Sequence, residues 1–231
     1  MIRVGPEKRL FAAHESIINA SPYFRTLSQA QPPSIPTTHI HHSGKYFNLP
    51  DELPEVLSCI LEFLYKGDYS PRLRHNANSQ TWELEENQSE KEGDGASPGV
   101  TVYHHGAKAV ILRDTAIYCA AEKYQLPALQ RLALRKQGLH TGIQCHTILA
   151  SARYAYANTP DNESKLRAHY LALMMRCRNT FKRSGTMQAE MEKGGTKMFF
   201  DLFVAMCNYM DEVFPADASV CSSATVKRHK V

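Results

Sequence analysis

The stretch His14 to Phe24, HESIINASPYF, constrains the fold of this chain more than any other. The ring of Pro22 clashes with the backbone of the residue before it, so Ser21 is pushed out of the α region. One helical turn must therefore end at Ser21. Pro22, whose missing N–H costs nothing at a first helical position, opens the next. Ile17 and Ile18 give the first helix an apolar side, and Tyr23, Phe24 and Leu27 give the second its own. Ahead of them Ile2 and Val4 alternate with Met1 and Arg3, Pro6 to Lys8 turn, and Arg9 to Ala13 returns. That is the pattern of a short hairpin. Two short helices meeting at a Ser-Pro corner, fed by a strand, predict one corner of a mixed α+β fold.

Beyond Leu27, Ser28 to Gly44 is rich in Ser, Thr, Gln and His, and Pro32, Pro33 and Pro36 exclude a stable helix. His39, His41 and His42 have a spacing seen in metal sites, but no Cys or Asp lies near them. They read as a solvated surface cluster. Lys45 to Leu49 is a strand with Phe47 and Leu49 on one face. Pro54 to Tyr65 is a helix whose Val56, Leu57, Ile60, Leu61 and Leu64 form one buried stripe. Gly67 stands where a helix end favours a left-handed residue.

Ser70 to Gly99 is polar, and Glu83 to Asp94 within it holds six acidic residues against one lysine. Such composition buries too little surface to offset the entropy of ordering. Disorder is expected from about Asn76 to Pro98, with the only tryptophan, Trp82, folding back on the body. Val100 to Tyr103 is extended, Ala107 to Tyr124 is predicted as one helix, and Ala128 to Gln137 as another.

These motifs together resemble those of BTB/POZ domains. The first is Phe11, His14, Ser21, Pro22, Tyr23 and Phe24 at their spacing. The second is Leu49-Pro50-Asp51 followed by Pro54-Glu55 and then Glu62 to Tyr69, EFLYKGDY. The third is AEKYQLPALQ over Ala121 to Gln130, similar to the closing helix pair of that family. The resemblance covers residues 1–137, with insertions at about 28–44 and 70–101. It implies a BTB/POZ fold, a small short-stranded sheet with a helical cluster, followed by an all-α extension over 138–214 and a flexible tail over 215–231.

Within the extension, helices are predicted over Thr147–Tyr156, Pro160–Lys182 and Met198–Phe214. Phe199, Leu202, Phe203, Met206, Tyr209 and Met210 form a broad stripe that reads as core.

No chemistry-bearing pattern accompanies this frame. Gly194-Gly195-Thr196-Lys197 has the wrong order for a phosphate loop, and no G-x-S-x-G elbow occurs. Cys145 and His146 are neighbours on a helix and point about 100° apart. The six cysteines are widely spaced; Cys59, Cys119, Cys177 and Cys207 sit among apolar residues and read as buried thiols. No run reaches the roughly 20 apolar residues of a membrane span, and no secretory pattern opens the chain. The expectation is an intracellular protein without cofactor, metal or small-molecule substrate, and not an enzyme.

A binding role is the remaining class. The BTB resemblance implies pairing through the first helices and strand, with Phe11, Ile17, Ile18, Tyr23, Phe24 and Leu27 as homodimer or partner contacts. Met1 to Gly5 is shorter than the strand that such dimers exchange, so helix-to-helix pairing is expected. The resemblance also implies a possible cullin-scaffold face for a ubiquitin-ligase adaptor, here Glu52, Glu55, Tyr65, Tyr118 and Tyr124. A third reading, a nucleic-acid-associated regulator, rests on Arg176, Arg178, Lys182, Arg183 and Lys193. Solvated helix faces explain those cations as well, so nucleic acid is not the expected partner.

Overall fold

A computed structural model describes residues 1–30, 45–77, 80–85 and 99–213. The His cluster at 39–42, most of the acidic run and the tail lie outside them. The chain is an α+β protein.

The N-terminal hairpin pairs β1 (Ile2–Val4) antiparallel with β2 (Arg9–Phe11), and β3 (Phe47–Leu49) joins β1 in parallel. The strand order is β2-β1-β3, leaving β2 at an edge. Ile2, Val4, Phe47 and Leu49 share the buried face. The corner forms as the Ser-Pro pair dictates: α1 (Glu15–Ile18) ends before Ser21, and α2 (Pro22–Ala30) starts on Pro22. Next comes α3 (Pro54–Lys66), closed by Gly67 at φ 77. Its Val56, Leu57 and Ile60 are essentially inaccessible, each such burial stabilising by roughly 1.5–3 kcal/mol.

Two hairpins depart from the sequence reading. Leu73–Asn76 (β4) and Thr81–Leu84 (β5) pair antiparallel within the stretch expected to be disordered. Cross-strand contacts hold this polar ribbon: Asn76 bonds Glu83, Arg74 bonds Glu85, and the His75 and Trp82 rings meet edge-on at 5.2 Å. Trp82 also lies 5.4 Å from the Arg135 guanidinium, yet stays substantially exposed. The rest of the predicted disorder, 86–98, lies outside the described residues.

The second departure is the predicted helix over 107–124. Its first part is β7 (Ala109–Leu112), paired with β6 (Thr101–His104). A short apolar run such as Ala-Val-Ile-Leu fits a strand or a buried helix equally well by periodicity. Val110 consequently faces outward and Ile111 inward.

Helix α4 (Arg113–Lys123) then runs through the middle of the protein, with Asp114 to Ala121 all buried. Helix α5 (Pro127–Gln137) packs against it, its Leu129 and Ala133 inward. The extension holds α6 (Cys145–Asn158), α7 (Lys165–Arg176), α8 (Arg178–Phe181), α9 (Gly185–Lys193) and α10 (Met198–Val213). The single helix predicted over 160–182 is broken. Its first residues form a turn in which the Asp161 carboxylate receives Arg167 and Lys197, and Cys177 leaves helical geometry at φ −94, ψ 20. Cys177 is therefore exposed rather than buried, whereas Cys59 and Cys119 are buried as expected.

The stripe on α10 is the largest correction. Met198 and Leu202 are buried, but Phe203, Met206, Tyr209 and Met210 are exposed. Among the described residues, only the N-terminal part of α10 is buried.

Candidate protein interface

Ser21 fastens the corner to the body. Its hydroxyl donates to the Tyr124 carbonyl at 2.7 Å and accepts the Phe24 N–H at 3.4 Å. Phe24 inserts behind it, its ring 4.9 Å from Tyr124, 5.3 Å from Tyr23 and 5.6 Å from Phe47. Phe24 and Ile18 are thus core of the single chain, not contacts for a partner. The other four expected residues, Phe11, Ile17, Tyr23 and Leu27, are only partly covered.

A neighbour went unmarked in the sequence. Leu10, on β2, is 59% exposed. Strand alternation was the available signal, since Leu10 must face away from Phe11 and Arg9. Among the described residues no strand pairs with the outer edge of β2. An open strand edge with an exposed leucine is a ready template for association.

The residues expected to form a cullin-type face divide sharply. Glu52 is buried and accepts the Tyr124 hydroxyl, with Lys123 at 3.7 Å. Burial first, and the Glu52 charge second, hold the Tyr124 phenol well above the usual tyrosine range. Tyr118 is buried too, and donates to Glu163 at 2.8 Å, tying α4 to the turn before α7. These three side chains serve the interior, a correction to the expected face. Glu55 and Tyr65 remain at the surface. Glu55 meets Arg9 of β2 at 3.6 Å, and the Tyr65 hydroxyl accepts the His14 N–H at 2.9 Å while lying 2.6 Å from Nδ1 of that histidine. Both therefore join α3 to the β2–α1 corner rather than marking a separate face.

Behind this corner the sequence concealed a buried polar network. Lys136, fully buried, reaches Asp68 at 2.5 Å, the Pro71 carbonyl at 2.7 Å and the Tyr69 carbonyl. Burial pulls its ammonium below the ordinary lysine range, with Asp68 opposing. Asp114 accepts the Tyr69 hydroxyl at 2.8 Å and lies 2.7 Å from His140 Nε2. Nothing in the helical pattern of α5 distinguished Lys136 from a solvated lysine.

A cleft of about 610 Å³ opens between the β6–β7 hairpin, α6 and α9. Arg153 is committed there to the Glu190 carboxylate and to the Glu190 and Gly194 carbonyls. His104 stacks on Tyr154 at 4.5 Å and accepts the Ala107 N–H, while burial, then His105, lowers its basicity. These groups are consumed in holding the hairpin and α9 to α6.

No family model, curated protein or solved structure matches this chain. Its surface must be read from its own chemistry. No helix among the described residues is long and apolar enough to cross a membrane. Arg176, Arg178, Lys182 and Arg183 are exposed around α8, whereas Lys193 is bound to Glu190.

Proposed function

We propose that this chain is a non-enzymatic protein-protein interaction module that associates through its β2–α1–α2 corner, as the BTB/POZ domains it resembles do. The supporting observation is the corner itself: a strand edge that no described strand pairs, carrying exposed Leu10, next to part-covered Phe11, Ile17, Tyr23 and Leu27. Its rigid backing favours association without rearrangement, because Ser21, Phe24 and the Glu52–Tyr124 pair hold the helices in place. A cullin-adaptor role keeps two of its five expected residues at the surface and stands second.

Light scattering behind size exclusion, over a dilution series, tests the proposal. Association through the corner gives a mass of at least twice 26.0 kDa for the intact chain. Ile17→Glu/Leu27→Glu, at part-exposed positions, lowers it. A mass that ignores this double substitution removes the corner as the interface.

A further inference from the structure

Helix α10 carries two apolar seams, of which, among the described residues, only the start of the first is buried. Met198, Leu202, Ala205 and Tyr209 lie along the first. Its beginning is buried against α6 and α7, and its end is open because no residue of α10 after Leu202 is buried. Phe199, Phe203, Met206, Met210 and Val213 form the second, spaced by four, three, four and three residues. That interval presents one continuous stripe to a neighbouring helix. Phe203 is 63% exposed and Met206, Met210 and Val213 are close to half exposed, while Phe200 beside them is 69% exposed.

We infer that this second seam is a homotypic interface, at which two copies of the chain pair α10 against α10 in antiparallel orientation. Side chains of this size bury roughly 150–250 Å² each. With Phe199 partly covered and the others exposed by about half to two thirds, the seam and Phe200 offer on the order of 500 Å² per copy. A pair then buries about 1,000 Å², where specific interfaces begin. A single apolar patch of that extent is at the upper end of what monomers leave in water.

Charge selects the occupant and its direction. Lys193 and Lys197, which pair with Glu190 and Asp161 yet keep most of their side chains in water, precede α10, whereas Asp211 and Glu212 end it. Antiparallel pairing brings unlike ends together. Parallel pairing would set both acidic pairs side by side, at helix ends whose dipole already disfavours negative charge. The polar residues of α10 argue against a lipid surface as well, because Asp201, Asp211 and Glu212 lack the Lys and Arg of interfacial helices. A twofold pairing of one surface with itself also closes, and covers the second seam on both copies.

This interface shares no residue with the β2–α1–α2 corner, so each can be broken alone. The test uses the intact chain and the double variant Phe203→Glu/Met210→Glu, whose sites are exposed and whose helix content is checked by circular dichroism. At high concentration, Phe203→Glu/Met210→Glu is expected to halve the assembly mass seen by light scattering. Ile17→Glu/Leu27→Glu leaves the α10 pair intact, so a mass that falls only in that corner variant supports the corner and overturns the α10 interface. An unchanged mass for Phe203→Glu/Met210→Glu, or a wild-type monomer at every concentration, overturns it too. Carbodiimide coupling of mixed isotope-labelled and unlabelled chains checks direction. Links from Lys193 or Lys197 to Asp211 or Glu212 that carry both isotopes support antiparallel pairing, and their absence overturns it.

Discussion

Helices α3 and α10 carry apolar stripes of similar sequence character and meet opposite fates. Val56, Leu57, Ile60 and Leu61 of α3 are buried in the core, where α3 packs against α1 and α4. Along α10 the buried run stops at Leu202, and seven large apolar side chains beyond Met198 and Phe199 stand in water, among them Phe200, Phe203 and Met206. A stripe states that a face wants cover. It does not state who supplies it. In α3 the cover comes from both directions along the chain, from α1 before it and from α4 beyond the two hairpins that follow it. For α10 the body ends before the helix does.

The difference is measurable. Phe24→Ala empties the site where four aromatic rings meet and should cost about 3–5 kcal/mol, and Leu57→Ala about 2–5 kcal/mol. Denaturant titration reads both, and a folded Phe24→Ala variant with an unchanged midpoint would contradict the packing described. Lys136→Met comes next. It leaves Asp68 and two carbonyls without their buried cation, and should cost about 2–3 kcal/mol despite matching the lysine in length.

Acid sensitivity sharpens the contrast inside the extension. Burial raises the Glu190 carboxyl, but Lys193 and Arg153 outweigh it and hold the group below its ordinary 4.5. A folded value below the unfolded one makes its stabilisation fully present above that range. The stabilisation is lost as the pH falls through the lowered value. Glu190→Gln should therefore flatten the fall in stability between neutral and acid pH, as followed by thermal melts. An equally steep fall would remove Glu190 as its source. The smallest effect belongs to α10. At dilutions where the chain is monomeric, Phe200→Ser should change stability by no more than about 0.5 kcal/mol. A larger loss would mean that Phe200 is covered within the single chain.

Much of the N-terminal half was legible because its signals are local and steric. Pro22 divides α1 from α2, Gly67 closes α3, and alternation marks β1, β2 and β3. The β6–β7 hairpin was hidden because four apolar residues fit two periods, and β4–β5 because cross-strand pairs, not hydrophobicity, hold it. The expected contact residues came from the family resemblance, which pointed to the corner but did not separate Ile18 and Phe24, inside, from Ile17 and Leu27, at its edge.

By itself, then, the sequence determined where α1, α2 and α3 start and stop and which faces are apolar, since those follow from backbone sterics and side-chain period. Only the tertiary structure decided that Glu52, Tyr118, Tyr124 and Lys136 are internal ties and that the seam of α10 lies open. Burial belongs to the neighbours a residue acquires in space, and no local pattern in the chain records them.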